Sequence, residues 1–274
     1  MIQLIDIGIN LMNPSYDHDR DDVVRTAAAA GVSPLVVTGS SEKSSRDAAF
    51  YARTWNAALP PGSPPALYTT AGVHPHEAKN CNSGTIAFLR ELAQRQPCGR
   101  GIAAIGECGL DYNRDFSPRD VQRRWFEKQI ELAAELSLPL FLHERDAYTD
   151  FSNILAGCIK AVPAAVVHCF TGTAESLDRY LSLGCYIGIT GWICDERRGQ
   201  HLRELVKTIP ADRLMLETDG PYLLPRDLPE KVKNRRNEPR FLPHIAQTVA
   251  VCTGKDPALL AAETLANSRK FFGL

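Results

Sequence analysis

Eight short apolar segments, many of them β-branched, alternate with segments of helical period along the 274-residue chain, and this alternation predicts an α/β fold of the (β/α)8, TIM-barrel class. Three observations carry the expectation. The strand segments are continuously apolar, as in parallel strands covered on both faces. Their number is that of the barrel, and the chain length is close to the roughly 250 residues such a barrel occupies. The first strand runs into Asp6-Ile7-Gly8-Ile9-Asn10, which lacks the glycine-rich phosphate turn that a doubly wound sheet would place there.

The elements follow in order. A strand over 4–9 leads to a helix over 17–30 that stops at Gly31. A strand over 35–38 precedes a helix over 42–55, and a strand over 67–73 precedes a helix over 85–95. After the fourth strand, 102–107, Ser117 as N-cap and Pro118 at the first helical position are start signals. That helix carries Val121, Phe126, Leu132 and Leu136 and stops before Pro139, which opens the fifth strand, 140–143. Then come a helix over 148–160, a strand over 165–168, a helix over 174–183, a strand over 185–189, a helix over 200–208 and a strand over 214–217. Helices over 242–252 and 257–271 close the chain. No repeat, low-complexity tract or long linker divides it, so a single domain over 1–274 is expected.

Composition narrows the class. Hydrophobic residues make up 44% and charged residues 23%, as in an ordinary globular protein with a sizeable core. A formal net charge of -1 advertises no general affinity for nucleic acid, so any attraction to phosphate must come from a local patch. None of the eight cysteines (81, 98, 108, 158, 169, 185, 194 and 252) forms a C-x-x-C pair, which disfavours a zinc ribbon or a thioredoxin-like motif. Reduced thiols, a cytoplasmic location, no membrane span and a monomer are expected.

Polar residues punctuate the strand ends. Asp6 lies near the end of the first strand, and His74 and His76 follow the third. Glu107 ends the fourth, His143 the fifth and His168 the sixth, and Asp219 follows the eighth. In a barrel these C-terminal strand ends converge on one mouth. Singly, each has a bland reading: a packed histidine, or a buried acid paired with an arginine. Together, two imidazoles and two carboxylates from four strands suit a divalent cation. Burying such carboxylates without a cation would be costly.

The same residues sit in longer motifs. DIGIN at 6–10, GVHPH at 72–76, AIGECGLDYNRD at 104–115, HCFTGT at 168–173, YIGITGWICDERRG at 186–199, ETDGPYLLPRDL at 217–228 and RRNEP at 235–239 resemble the TatD deoxyribonucleases in order and spacing over nearly the whole chain. The resemblance implies a metal-dependent hydrolase of the TIM-barrel type. It implies a 3'-5' exonuclease on single-stranded DNA or RNA, serving DNA repair or nucleic-acid turnover, with Mg2+ as the ion and Mn2+ or Zn2+ as alternatives. It implies Glu107, His143 and His168 as metal ligands, Asp219 as catalytic carboxylate and ligand, and His74 as the contact to the scissile phosphate.

Two positions depart from the wider family. The Asp-x-His-x-His after the first strand reads Asp6, Gly8 and Asn10, as in the family's TatD branch. That leaves Asp6 and Asn10 as ligands of a weaker second metal, completed when substrate phosphate arrives. His143 is followed by Glu144 rather than cysteine, and alternation along a strand turns Glu144 away from the site. For the strand of nucleic acid, His76, Arg145, Tyr112, Phe170, Arg235 and Arg236 are the expected contacts. Arg197, Arg198, Arg226, Lys231, Lys233, Arg240, Trp192 and Tyr222 lie in the same late loops. Cations beside aromatic rings suit base stacking, at about 1–3 kcal/mol per base. Two other classes remain: a barrel hydrolase of amides or esters, and a non-catalytic nucleic-acid-binding barrel. Glu107 stands where carbamylated-lysine amidohydrolases carry the lysine, which speaks against the first. Retention of Glu107, His143, His168 and Asp219 together speaks against the second.

Overall fold

The computed structural model describes residues 2–64, 66–95 and 101–274. Its eight strands follow one another in the sheet in sequence order, β1 to β8. That is the order of the (β/α)8 class. The described residues group into two compact units. One comprises the chain through Val37 with Cys169–Thr171 and Ile187–Leu274, and the other Thr38–His168 with Gly172–Tyr186.

In the first unit, β1 (Leu4–Ile9) pairs in parallel with β2 (Val32–Val37), and helix α1 (Arg20–Ala29) connects them. From the far end of the chain, β7 (Tyr186–Ile189) pairs with β8 (Leu214–Leu216). Ile9 bridges Gly220, which brings the start of the chain beside the segment after β8. Between and after these strands come α7 (Gln200–Leu205), α8 (Leu242–Thr253) and α9 (Pro257–Phe272). Helix α9 starts on an Asp256 cap that accepts from the amides of Ala258 and Leu259, with Pro257 in its first turn. Its buried Asn267 donates to the carbonyls of Ala211 and Leu214, at 2.7 and 2.8 Å.

In the second unit, β3 (Leu67–Ala71), β4 (Ile102–Asp111), β5 (Leu140–Arg145) and β6 (Ala165–Val167) pair in parallel. Helices α2 (Glu42–Ala57), α3 (Thr85–Gln94), α4 (Arg119–Leu136), α5 (Tyr148–Cys158) and α6 (Ala174–Ser182) belong to it. Its core is Ile105, Leu110, Phe126, Leu140, Phe141, Leu142 and Phe151, each almost wholly buried. Full burial stabilises by roughly 1.5–3 kcal/mol per such side chain. Gly109, at φ 146°, lies opposite His143 in the ladder, where a Cβ would stand 1.8 Å from the His143 carbonyl oxygen. Only glycine lets β5 approach so closely.

Most element boundaries agree with the sequence reading to within a few residues, with two instructive differences. Strand β4 runs four residues past Glu107, because Leu110 and Asp111 find ladder partners in Glu144 and Arg145. Ser117 does not cap α4. Pro118 is extended at the cap position, and the Ser117 hydroxyl donates instead to the His76 carbonyl at 2.9 Å. The seven described cysteines are free thiols, and Cys98 lies outside the described residues. No helix among the described residues is long and apolar enough to cross a membrane.

Candidate metal and catalytic centre

In the second unit, one carboxylate oxygen gathers three imidazoles. Glu107 Oε1 lies 2.8 Å from His168 Nε2, 3.2 Å from His143 Nδ1 and 3.4 Å from His74 Nε2. Glu107 and His143 come from the neighbouring strands β4 and β5. His168 follows β6, and its amide donates to the Leu142 carbonyl while its ring leans on Phe141. His74 follows β3 and caps a 3-10 turn over Pro75–Asn80, its Nδ1 accepting from the His76 amide at 3.1 Å. An acceptor Nδ1 puts the hydrogen of a neutral ring on Nε2. His74 therefore faces Glu107 as a hydrogen-bond donor. Burial holds it neutral, lowering its pKa to about 3.

A second carboxylate extends the cluster. Asp111 Oδ2 lies 2.6 Å from His76 Nε2 and 3.4 Å from His143 Nε2. Burial pushes both acids up, but their histidines outweigh it, so Glu107 and Asp111 are held well below the usual carboxylate range. Burial lowers His143, yet the carboxylates of Asp111 and Glu107 raise it. His143 Nε2 is buried and makes no hydrogen bond. With only the Asp111 carboxylate 3.4 Å away, that nitrogen is poorly satisfied, which is rare and costly for a buried polar atom. A cation ligated there would satisfy it and would match the two negative charges. The residues thus fit a divalent metal, and ligand atoms of His74, Glu107 and His143 lie within 4.8 Å of one another.

The first unit holds the other expected residues. Asp6 is wholly buried, and both its oxygens are engaged: Oδ1 accepts from the amides of Thr218 and Gly8, and Oδ2 from the Thr218 hydroxyl. Burial raises its pKa from 3.8 to about 7. Asn10 donates its amide to Asp219 Oδ1 at 2.9 Å. Asp219 sits in the left-handed region at φ 54° and its N–H donates to the Gly8 carbonyl. Within this unit Asp6 is a brace between β1 and the segment after β8, and Asn10 orients Asp219. The buried Asn237 of the RRNEP segment continues the brace, donating to the Thr218 carbonyl and accepting at its own carbonyl from Tyr16.

The Asp6 environment sets a pH dependence. Its folded pKa lies above the unfolded one, so its contribution to stability is complete below about pH 4 and is lost as pH rises through about 7. In chelator, the stability of wild type relative to Asp6→Asn should fall by roughly 4 kcal/mol across that window. Urea unfolding at several pH values measures it; parallel curves for the two proteins would contradict the buried-acid account.

The expected substrate contacts divide. His76 joins the cluster through Asp111. Tyr112 donates its hydroxyl to Asp150 at 2.6 Å and lies under the Arg119 guanidinium. Arg145 is half-buried on β5. Phe170 is only 3% exposed. The Arg236 guanidinium is held by Asp19 and Glu238. Arg235 lines a cleft of about 680 Å³ with Trp192, Arg198, Arg226 and Lys231, where Arg198 lies 4.5 Å over the Trp192 ring. Glu144 turns away, as alternation predicted, and accepts from the Tyr180 hydroxyl and the Ala147 amide.

Sequence reasoning passed over Asp111 and Glu217. Asp111 stands two alternations beyond Glu107 on the same strand, a signal hidden by the polar residues that seemed to end it. Glu217 is wholly buried and accepts from the Cys169 amide at 2.5 Å. Its signal was an acid closing an apolar strand.

A family model described as TatD related DNase matches residues 5–273. The chain is 51% identical to a protein named 3'-5' ssDNA/RNA exonuclease TatD from Rahnella sp., over 99% of this chain and 98% of the other. It is 50% identical to the protein of the same name from Erwinia tasmaniensis, over 99% and 100% of the two chains. A TatD family hydrolase from Entamoeba histolytica superimposes with a TM-score of 0.87 at 28% identity, covering 98% of both chains.

Proposed function

The chain belongs to the TatD-related DNase family, and from that premise we propose that it is a metal-dependent nuclease, a 3'-5' exonuclease on single-stranded DNA or RNA. The observation that carries the proposal is the convergence of three imidazoles on Glu107 Oε1, with the His143 Nε2 beyond them buried without a hydrogen bond, 3.4 Å from Asp111 Oδ2. One catalytic domain over 1–274 is part of the same reading, since the family match runs through both units, and we take it to act as a monomer.

Glu107, His143 and His168 would hold the ion. When bound, a divalent ion supplies Lewis-acid polarisation of the phosphoryl group and makes a water more acidic. We propose Mg2+, because phosphate and carboxylate oxygens suit it, with Mn2+ or Zn2+ accepted by the imidazoles. Asp219, oriented by Asn10, takes the proton of the attacking water as its oxygen bonds to phosphorus. The bond from phosphorus to the leaving sugar oxygen breaks, and that oxygen takes up a proton from water. His74, neutral and carrying its hydrogen on Nε2, donates to a phosphoryl oxygen. His76 is held by Asp111 beside it for the same anionic group. Asp6 and Asn10 support this arrangement, and a second ion there would need ligands from the substrate. The cleft with Trp192, Arg198 and Arg235 offers stacking and phosphate contacts for the strand.

The test is to strip the protein with chelator and add back Mg2+, Mn2+ or Zn2+. End-labelled single- and double-stranded DNA and RNA are then followed on a gel. Stepwise shortening from the 3' end of single strands is expected. No cleavage of any strand with any of the three ions would sink the proposal.

A further inference from the structure

A second cluster of metal-ligating groups lies within the first unit and takes no part in the chemistry above. Cys194 ends a 3-10 turn over Gly191–Cys194, Asp227 lies in the loop after β8, and His244 is in the first turn of α8. One ligand atom from each, a sulfur, a carboxylate oxygen and a ring nitrogen, lies within 4.8 Å of the others. Cys194 is wholly buried. The His244 and Asp227 side chains are 26% and 40% exposed, so an ion can enter from their side. His244 Nε2 and Asp227 Oδ1 share a hydrogen at 2.7 Å. The Arg203 guanidinium approaches the other carboxylate oxygen at 3.9 Å and leaves Oδ1 to the cluster.

We propose that Cys194, Asp227 and His244 form a separate site for a thiophilic divalent cation such as Zn2+, and that its occupation fastens the loop after β8 to helix α8. Sulfur, imidazole and carboxylate are the donors that Zn2+ takes, at about 2.0–2.3 Å; the His244 and Asp227 atoms, 2.7 Å apart, open slightly around the ion, and the sulfur lies within 4.8 Å of both. The ion takes the place of the hydrogen between His244 and Asp227, which moves to His244 Nδ1, and the Cys194 thiol gives its proton to water, so one proton is released in all. A catalytic Cys-His-Asp reading fails, because a thiol this buried cannot meet a substrate. The fastened loop carries Arg226 and Lys231 of the cleft, so the ion would order a basic surface.

The sulfur provides a specific readout. The ligands assigned to the Glu107 centre are nitrogen and oxygen donors, so thiolate-to-metal charge-transfer absorption in the ultraviolet reports a sulfur-containing site, and the Cys194 variant identifies which. The metal-stripped full chain is titrated with Cd2+ or Co2+. One equivalent should develop the band with release of one proton, and binding should tighten as pH rises. Cys194→Ser should abolish the band. Asp227→Asn, on an exposed loop that tolerates the change, should weaken binding by about tenfold or more. Glu107→Gln should leave the band in place. No band in the wild type would overturn the site, and so would an unchanged band in Cys194→Ser, which would assign the sulfur to another cysteine. Full-strength binding by Asp227→Asn would overturn it as well.

Discussion

Glu107→Gln should lower hydrolysis by on the order of a thousandfold, about 4 kcal/mol of transition-state stabilisation. The substitution keeps the shape of the side chain and removes its charge. In the wild type that charge meets His74, His143 and His168 at one oxygen. A neutral amide cannot balance a divalent ion, so bound metal should fall together with activity. Glutamine can still accept from these imidazoles, so the far-ultraviolet circular dichroism should be unchanged. Metal content by atomic emission and kcat on an end-labelled strand are the two measurements. A variant that retains both would remove Glu107 from the site.

Asp219→Asn should act on a different quantity. General acid–base groups contribute about 10²–10⁴-fold, and a loss in that range is expected in kcat, with KM little changed. Asparagine tolerates the left-handed backbone at φ 54° as well as aspartate does, and it keeps an oxygen for the Asn10 amide. The fold should therefore hold. Metal content separates the two roles assigned to Asp219. If it stays near the wild-type level, Asp219 accepts the proton; if it falls, Asp219 is a ligand. A kcat within about tenfold of wild type would refute both roles.

The chain order of elements was legible because each strand is a continuous apolar run and each helix repeats with its own period. Glu107, His143 and His168 were legible for the same reason, since a polar residue stands out where an apolar run stops. What local pattern could not carry is pairing between distant segments. Arg236 reads as a free cation until Asp19, 217 residues away, neutralises it. Phe170 reads as an open ring until packing buries it. The hydrogen bonds of Asp6 to Thr218 span segments far apart in the chain, and Asp111 joins the site because the ladder extends β4 past the residue where its apolar run ends. The sequence by itself determined the family, the strand-end positions and the donor types, since these depend on residue identity and short-range period. Only the tertiary structure decided which donors meet, which charges cancel and that Cys194, Asp227 and His244 converge, because those depend on contacts across long sequence separations.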